Sequence, residues 1–129
     1  MTEIPYRKNT VYFQYYVNDF NRAKKFYEHI LGLEKCWDGG EEIGWAEFEL
    51  PLKGARLGLN LRKNQDIEKG SGVLTLQVED IEDAKKNLDK KGIETSDIVD
   101  MTDLITYFNI HDTEGNPIQF VADPRVKSE

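Results

Sequence analysis

Apolar and polar positions in this chain fall into blocks, and the blocks come in one order twice. Residues 11–17 are β-branched and aromatic with a loose alternation, which predicts a strand. Asp19 stands where a helix N-cap belongs. Phe20, Ala23, Phe26, Tyr27, Ile30 and Leu31 follow at spacings of three and four, predicting a helix over 20–31 with one apolar stripe and a stop at Gly32. A short edge strand over 33–37 and a turn at Asp38, Gly39 and Gly40 come next. Residues 44–50 alternate Trp45, Glu47 and Glu49 against Ala46, Phe48 and Leu50. Residues 55–61 alternate Arg56, Gly58 and Asn60 against Leu57, Leu59 and Leu61. Each of these two strands therefore has an apolar face for the helices and a mixed face turned elsewhere.

After a polar linker over 64–72 the order repeats. Residues 73–78 put Leu74, Leu76 and Val78 on one face, and Asp80 caps a helix carrying Ile81, Ala84 and Leu88 that Gly92 ends. A short strand over 93–98 precedes a hairpin of 105–111 and 117–121 around Asp112, Thr113, Glu114, Gly115 and Asn116. Val17, Asp19, Ala23, Lys24 and Lys25 return 61 residues later as Val78, Asp80, Ala84, Lys85 and Lys86. Gly32, Leu33 and Glu34 are answered by Gly92, Ile93 and Glu94, one residue short of that offset. Only two copies fit, so this is a duplicated module rather than a solenoid repeat. The expected fold is α+β: two tandem βαβββ modules, about 8–63 and 70–123, forming a curved mixed sheet around a cavity in one domain of 129 residues.

Charge narrows the partners. A formal net charge of −7 speaks against a nucleic-acid backbone. No run of eighteen apolar residues offers a membrane span, and residues 1–5 lack the layout of a signal peptide. A single cysteine, Cys36, permits no intrachain disulfide and fits a reducing cytoplasm.

The module resembles the vicinal oxygen chelate superfamily of glyoxalases, bleomycin-resistance proteins and extradiol dioxygenases. Val17, Asn18 and Asp19 leading to Ala23, Phe26, Tyr27 and then Leu31, Gly32, Leu33 and Glu34 match its first signature. The run 112–119 matches its closing hairpin, with Thr113 in place of a proline. The resemblance implies a divalent metal held by His and Glu side chains at four strand positions. Here those positions fall on Tyr12, Gly58, Val73 and Gln119, which supply no His–Glu set. The expectation is a chain with no metal centre and no cofactor. Of the two histidines, His29 reads as a surface helical residue and His111 as a residue at the rim of the cavity.

What the mixed faces offer instead is a pocket chemistry of aromatic walls with a few polar groups. Tyr12, Gln14, Tyr16, Trp45, Arg56, Asn60, Thr75, Gln77, Tyr107, Asn109 and Gln119 are the candidate ligand-binding residues. Arg56 either anchors an anionic group of a ligand or neutralises Glu47 on the neighbouring strand. The expected function is metal-free sequestration of an aromatic or amphipathic small molecule, in a homodimer. The alternatives are an isomerase, lyase or dioxygenase using either a displaced metal site, with Glu47, Glu49 and His111 as its candidates, or Glu47 as base and His111 as acid, and a dimeric interaction module whose mixed face is covered by a partner. Met101 and Leu104 stand before the last hairpin as a lid or as packing.

Overall fold

The computed structural model describes residues 11–67 and 72–129, and the chain divides after Gln65 into two compact units. The first carries β1 (Val11–Val17), α1 (Phe20–Lys25) continued by a π-helical turn (Phe26–Ile30), β2 (Lys35–Asp38), α2 (Gly40–Ile43), β3 (Trp45–Glu49) and β4 (Ala55–Leu61). The second carries β5 (Leu74–Gln77), α3 (Ile81–Lys90), β6 (Val99–Met101), β7 (Ile105–His111) and β8 (Pro117–Ala122). Each unit builds its own four-stranded mixed sheet, ordered β1-β4-β3-β2 and β5-β8-β7-β6. The β1–β4 and β5–β8 pairs are parallel and the rest antiparallel. This is the α+β arrangement of repeated βαβββ modules that the alternation predicts. The linker expected over 64–72 is described only in part, since residues 68–71 lie outside the described residues.

The helices α1 and α3 begin the same way for the same reason. Asp19 holds an extended backbone and its side chain accepts the Arg22 amide N–H at 3.2 Å; Asp80 does the same for Asp83 at 3.1 Å. Phe20, Ala23, Phe26 and Tyr27 are buried together with Tyr15, Val17, Ala46, Phe48, Leu57 and Leu59 of the first sheet. In the second unit Ile81 and Leu88 are buried with Phe108, Ile110, Ile118 and Phe120. Phe108 and Phe120 are cross-strand partners with rings stacked 5.3 Å apart. Full burial of each such side chain contributes about 1.5–3 kcal/mol, so the core faces hold each sheet to its helix.

Four local expectations are corrected. The helix over 20–31 is α-helical only to Lys25, because Leu31 donates its N–H to Phe26 five residues back at 3.1 Å. Gly32 then adopts φ +68° and Leu33 closes on the Tyr27 carbonyl at 3.0 Å, turning Leu33 into the core. That closure delays the edge strand from 33–37 to Lys35–Asp38. The turn expected at Asp38, Gly39 and Gly40 opens a short helix instead: Asp38 Oδ1 accepts the Gly40 N–H at 2.9 Å, and left-handed Gly44 ends the helix by donating to Gly40. No strand forms over 93–98; the strand is Val99–Met101. Ser96 donates its N–H to the Asn109 carbonyl at 2.9 Å, while the Asn109 N–H donates to the Ser96 hydroxyl at 2.7 Å. A hydroxyl thus takes the place of a backbone carbonyl and interrupts the ladder.

Two polar devices tie the second unit's ends. Buried Asp112 accepts N–H bonds from Glu114 and Asn116 at 2.8 Å each, and the Asn116 side-chain amide at 2.9 Å, which sets the β7–β8 turn. Arg125 donates twice to Asp100, at 2.9 and 2.7 Å, and once to Glu82 at 2.6 Å, fastening the C-terminal segment to β6 and α3. Among the described residues no helix is long and apolar enough to cross a membrane.

Candidate functional site

The mixed face of the first sheet is assembled by register. Tyr12 pairs with Arg56, Gln14 with Gly58 and Tyr16 with Asn60 across β1–β4. Across β3–β4, Glu49 pairs with Arg56, Glu47 with Gly58 and Trp45 with Asn60. Seven of the expected binding and catalytic residues therefore share one sheet face: Tyr12, Gln14 and Tyr16 exposed, and Trp45, Glu47, Arg56 and Asn60 half-buried.

At its centre an indole lies on a glycine. A Cβ added at Gly58 would meet Cη2 and Cζ2 of Trp45 at 2.2 Å, so the ring occupies the space a side chain there would need. Trp45 Nε1 donates to Glu47 Oε2 at 2.8 Å, and Arg56 Nη1 donates to Glu47 Oε1 at 3.2 Å. Both carboxylate oxygens of Glu47 are thus engaged, one holding the ring and the other the guanidinium. Beside them Asn60 donates its amide to Gln14 Oε1 at 3.0 Å. Arg62 caps the exposed Tyr16 ring from 4.7 Å.

The edge strand adds residues that the alternation alone did not mark. Trp37 pairs directly with Glu47, and its ring fills the space over Gly39, where an added Cβ would meet it at 2.5 Å. Each tryptophan is therefore seated on a glycine. Cys36 donates its thiol to the Glu47 carbonyl at 3.5 Å.

Electrostatics around this face are set by neighbours. The hydrogen bond to Glu47 raises the Arg56 pKa above its ordinary value. Burial pushes the Cys36 thiol up, against the lowering effect of Arg56 and with the support of Glu47 and Glu49. Burial opposes ionisation of Asp38, but the Gly40 N–H with Lys24 and Lys35 outweighs it and holds this carboxyl at about 2.

In the second unit Thr75, Gln119 and Asn109 form one cross-strand row, and Gln77, Val121 and Tyr107 another. His111 ends β7 exposed, paired with Pro117. Met101 pairs with Ile105, while Leu104 is exposed in the turn between β6 and β7. His29 is an exposed helical residue with Glu28 Oε1 3.4 Å away.

At the strand positions that the resemblance assigns to a metal, the described residues do not fit one. The strand position at Gly58 is filled by the Trp45 ring, leaving no room for a ligating side chain. Among the described residues no three His, Cys, Asp or Glu side chains gather in a way that could hold a metal ion.

Comparison with known proteins places these features. The sequence profile of the Glyoxalase/Bleomycin resistance protein/Dioxygenase superfamily matches residues 10–120. Among solved structures, TnmS3, an antibiotic binding protein from Streptomyces sp. CB03234, superposes with a TM-score of 0.78 at 20% identity, covering 94% of this chain and 99% of that one. A member of the same superfamily from Sphaerobacter thermophilus DSM 20745 gives 0.73 at 23% identity, covering 93% and 98%. Lactoylglutathione lyase from Agrobacterium tumefaciens gives 0.73 at 16% identity, covering 90% and 94%. No curated protein matches the sequence.

Proposed function

The chain belongs to the Glyoxalase/Bleomycin resistance protein/Dioxygenase superfamily, and from that premise we propose that it binds an aromatic or amphipathic small molecule on the mixed face of its first unit, without a metal. The Trp45 indole carries this assignment. It is held over Gly58 by the bond to Glu47, in the place where the resemblance puts a metal-ligating side chain. A fixed ring beside Tyr12, Tyr16, Arg56 and the Gln14–Asn60 amide pair is a wall with polar markers, the makeup of a small-molecule site. Support from a relative comes through TnmS3, which shares the fold and is an antibiotic binding protein.

Glu47 acts here as a positioning residue rather than a base, because both of its oxygens already accept hydrogen bonds. Binding then needs no proton transfer, only aromatic surface and hydrogen bonds. The assembly we propose is a homodimer, and a light-scattering mass of one chain would overturn that part.

The test is a panel of planar aromatic compounds screened against the purified chain by thermal shift and by quenching of tryptophan emission. Both tryptophans, Trp37 and Trp45, belong to this sheet. Hits are expected to raise the melting midpoint, quench emission, and lose affinity at least tenfold in Trp45→Ala. A broad panel without hits, or hits indifferent to Trp45→Ala, would overturn the assignment.

A further inference from the structure

Aromatic walls explain where a ligand's ring goes; the cations at the hairpin end explain what else it carries. At the turn between β3 and β4 lies a cavity of about 650 Å³ whose lining includes Glu49, Leu50, Leu52, Lys53 and Arg56. That volume falls within the range that small-molecule sites occupy, roughly 300–1,000 Å³. Arg56 joins this cavity to the mixed face, since it pairs in register with Tyr12 on one side and Glu49 on the other.

The guanidinium is only partly used. Nη1 donates to Glu47 Oε1, whereas Nη2 and Nε have no partner among the described residues. The side chain is 38% exposed, so that open edge is reachable. Lys53 likewise makes no ion pair among the described residues, and Glu49, the acid in the lining, bonds to neither cation. Arg56 and Lys53 therefore line this cavity with donors to spare, Glu47 engaging one edge of Arg56 and Glu49 neither cation, next to the apolar surface of Leu50 and exposed Leu52.

A guanidinium with a free edge matches planar or tetrahedral oxyanions by forked hydrogen bonds, which a neutral ligand cannot use. Anion capture in a chain of net charge −7 has to be local. At physiological ionic strength charges beyond about 8 Å are largely screened, which leaves the local pair in control. We propose that this cavity takes the anionic head of an amphiphilic small molecule, a carboxylate or sulfonate. The head group sits on the open edge of Arg56 beside Lys53, and the apolar body lies on Leu50 and Leu52. The proposal rests on the small-molecule function assigned above and specifies its ligand class.

Two probes with one ring skeleton test it on the purified full chain: 1-anilinonaphthalene-8-sulfonate and neutral N-phenyl-1-naphthylamine, titrated by quenching of tryptophan emission. The sulfonate is expected to bind at least tenfold more tightly. Arg56→Gln is expected to remove that preference, weakening the sulfonate at least tenfold more than the neutral probe. Lys53→Glu, at an exposed position where folding is not at stake, is expected to weaken the sulfonate fivefold or more. Equal affinity for the two probes in the wild type would overturn the anionic head group while leaving the small-molecule function standing. A sulfonate preference that survives both substitutions would overturn the placement at Arg56. Binding of neither probe would overturn this proposal and count against the function beneath it.

Discussion

Replacing Gly58 by alanine sets two effects of opposite sign against each other, and the structure says which wins. Gly58 sits in β4 without a positive φ, so its backbone does not require glycine. Alanine at a strand interior position is by itself more stable than glycine by about 0.5–1 kcal/mol. The new Cβ, however, would stand 2.2 Å from the Trp45 ring, which must therefore leave its seat. Moving it breaks the 2.8 Å bond from Nε1 to the Glu47 carboxylate, of a kind worth about 1.5–3 kcal/mol. The net expectation is a loss of about 1–2 kcal/mol. In a Trp45→Ala background no ring is in the way, and the same substitution should gain about 0.5–1 kcal/mol. The sign change, a coupling of about 1.5–3 kcal/mol, is the prediction. Urea unfolding of the four proteins, followed by circular dichroism and by tryptophan emission, measures it. If Gly58→Ala stabilises both backgrounds, the indole does not sit on Gly58 and the account of the site fails.

Further expectations follow from other contacts. The folded-state pKa of Asp38, about 2, lies below its ordinary 3.8, so the stability it adds is complete above about pH 4 and drains away as the pH falls through 2. The urea midpoint of wild type should fall over that window, and Asp38→Asn should flatten this fall. Asp112→Ala removes the carboxylate that accepts from two backbone donors and one side-chain donor in a buried turn and should cost about 2–4 kcal/mol in denaturant unfolding. Cys36 is exposed yet its thiol is raised by burial and by Glu47 and Glu49. It should therefore react with iodoacetamide at pH 8 more slowly than a free model thiol, and mass spectrometry of timed samples checks this.

How much of this was legible from the sequence depends on the kind of interaction involved. The paired caps Asp19 and Asp80, the 61-residue echo and the clean alternation of 44–50 and 55–61 are local patterns, and each lands where its periodicity puts it. Ala55–Leu61 appears with the predicted ends. What failed depends on particular hydrogen-bond partners, near or far, that periodicity does not record. Ser96 displaces a strand only because its hydroxyl meets Asn109, thirteen residues on, and no periodicity records that meeting. Asp38 opens a helix rather than a turn because its carboxylate is fixed by Lys24, Lys35 and the Gly40 N–H together.

The candidate site divides along the same line. Alternation placed Tyr12, Trp45, Glu47, Arg56 and Asn60 on one face, because a strand's period of two is a local property. It left open whether Arg56 meets Glu47, which the structure answers at 3.2 Å. That the Trp45 ring covers Gly58 follows from cross-strand register, which the sequence does not state. Trp37 was passed over because an irregular register between Lys35 and Trp37 hides its alternation.

The central claim is a binding site that works without a metal. Elemental analysis of untagged protein purified without chelators tests it most directly, with zinc, nickel, iron and manganese counted per chain. The account predicts far less than one equivalent of any of them, because the Trp45 ring fills the space at Gly58. About one tightly held equivalent, retained through dialysis, would contradict it and return the chain to the metal chemistry of its superfamily.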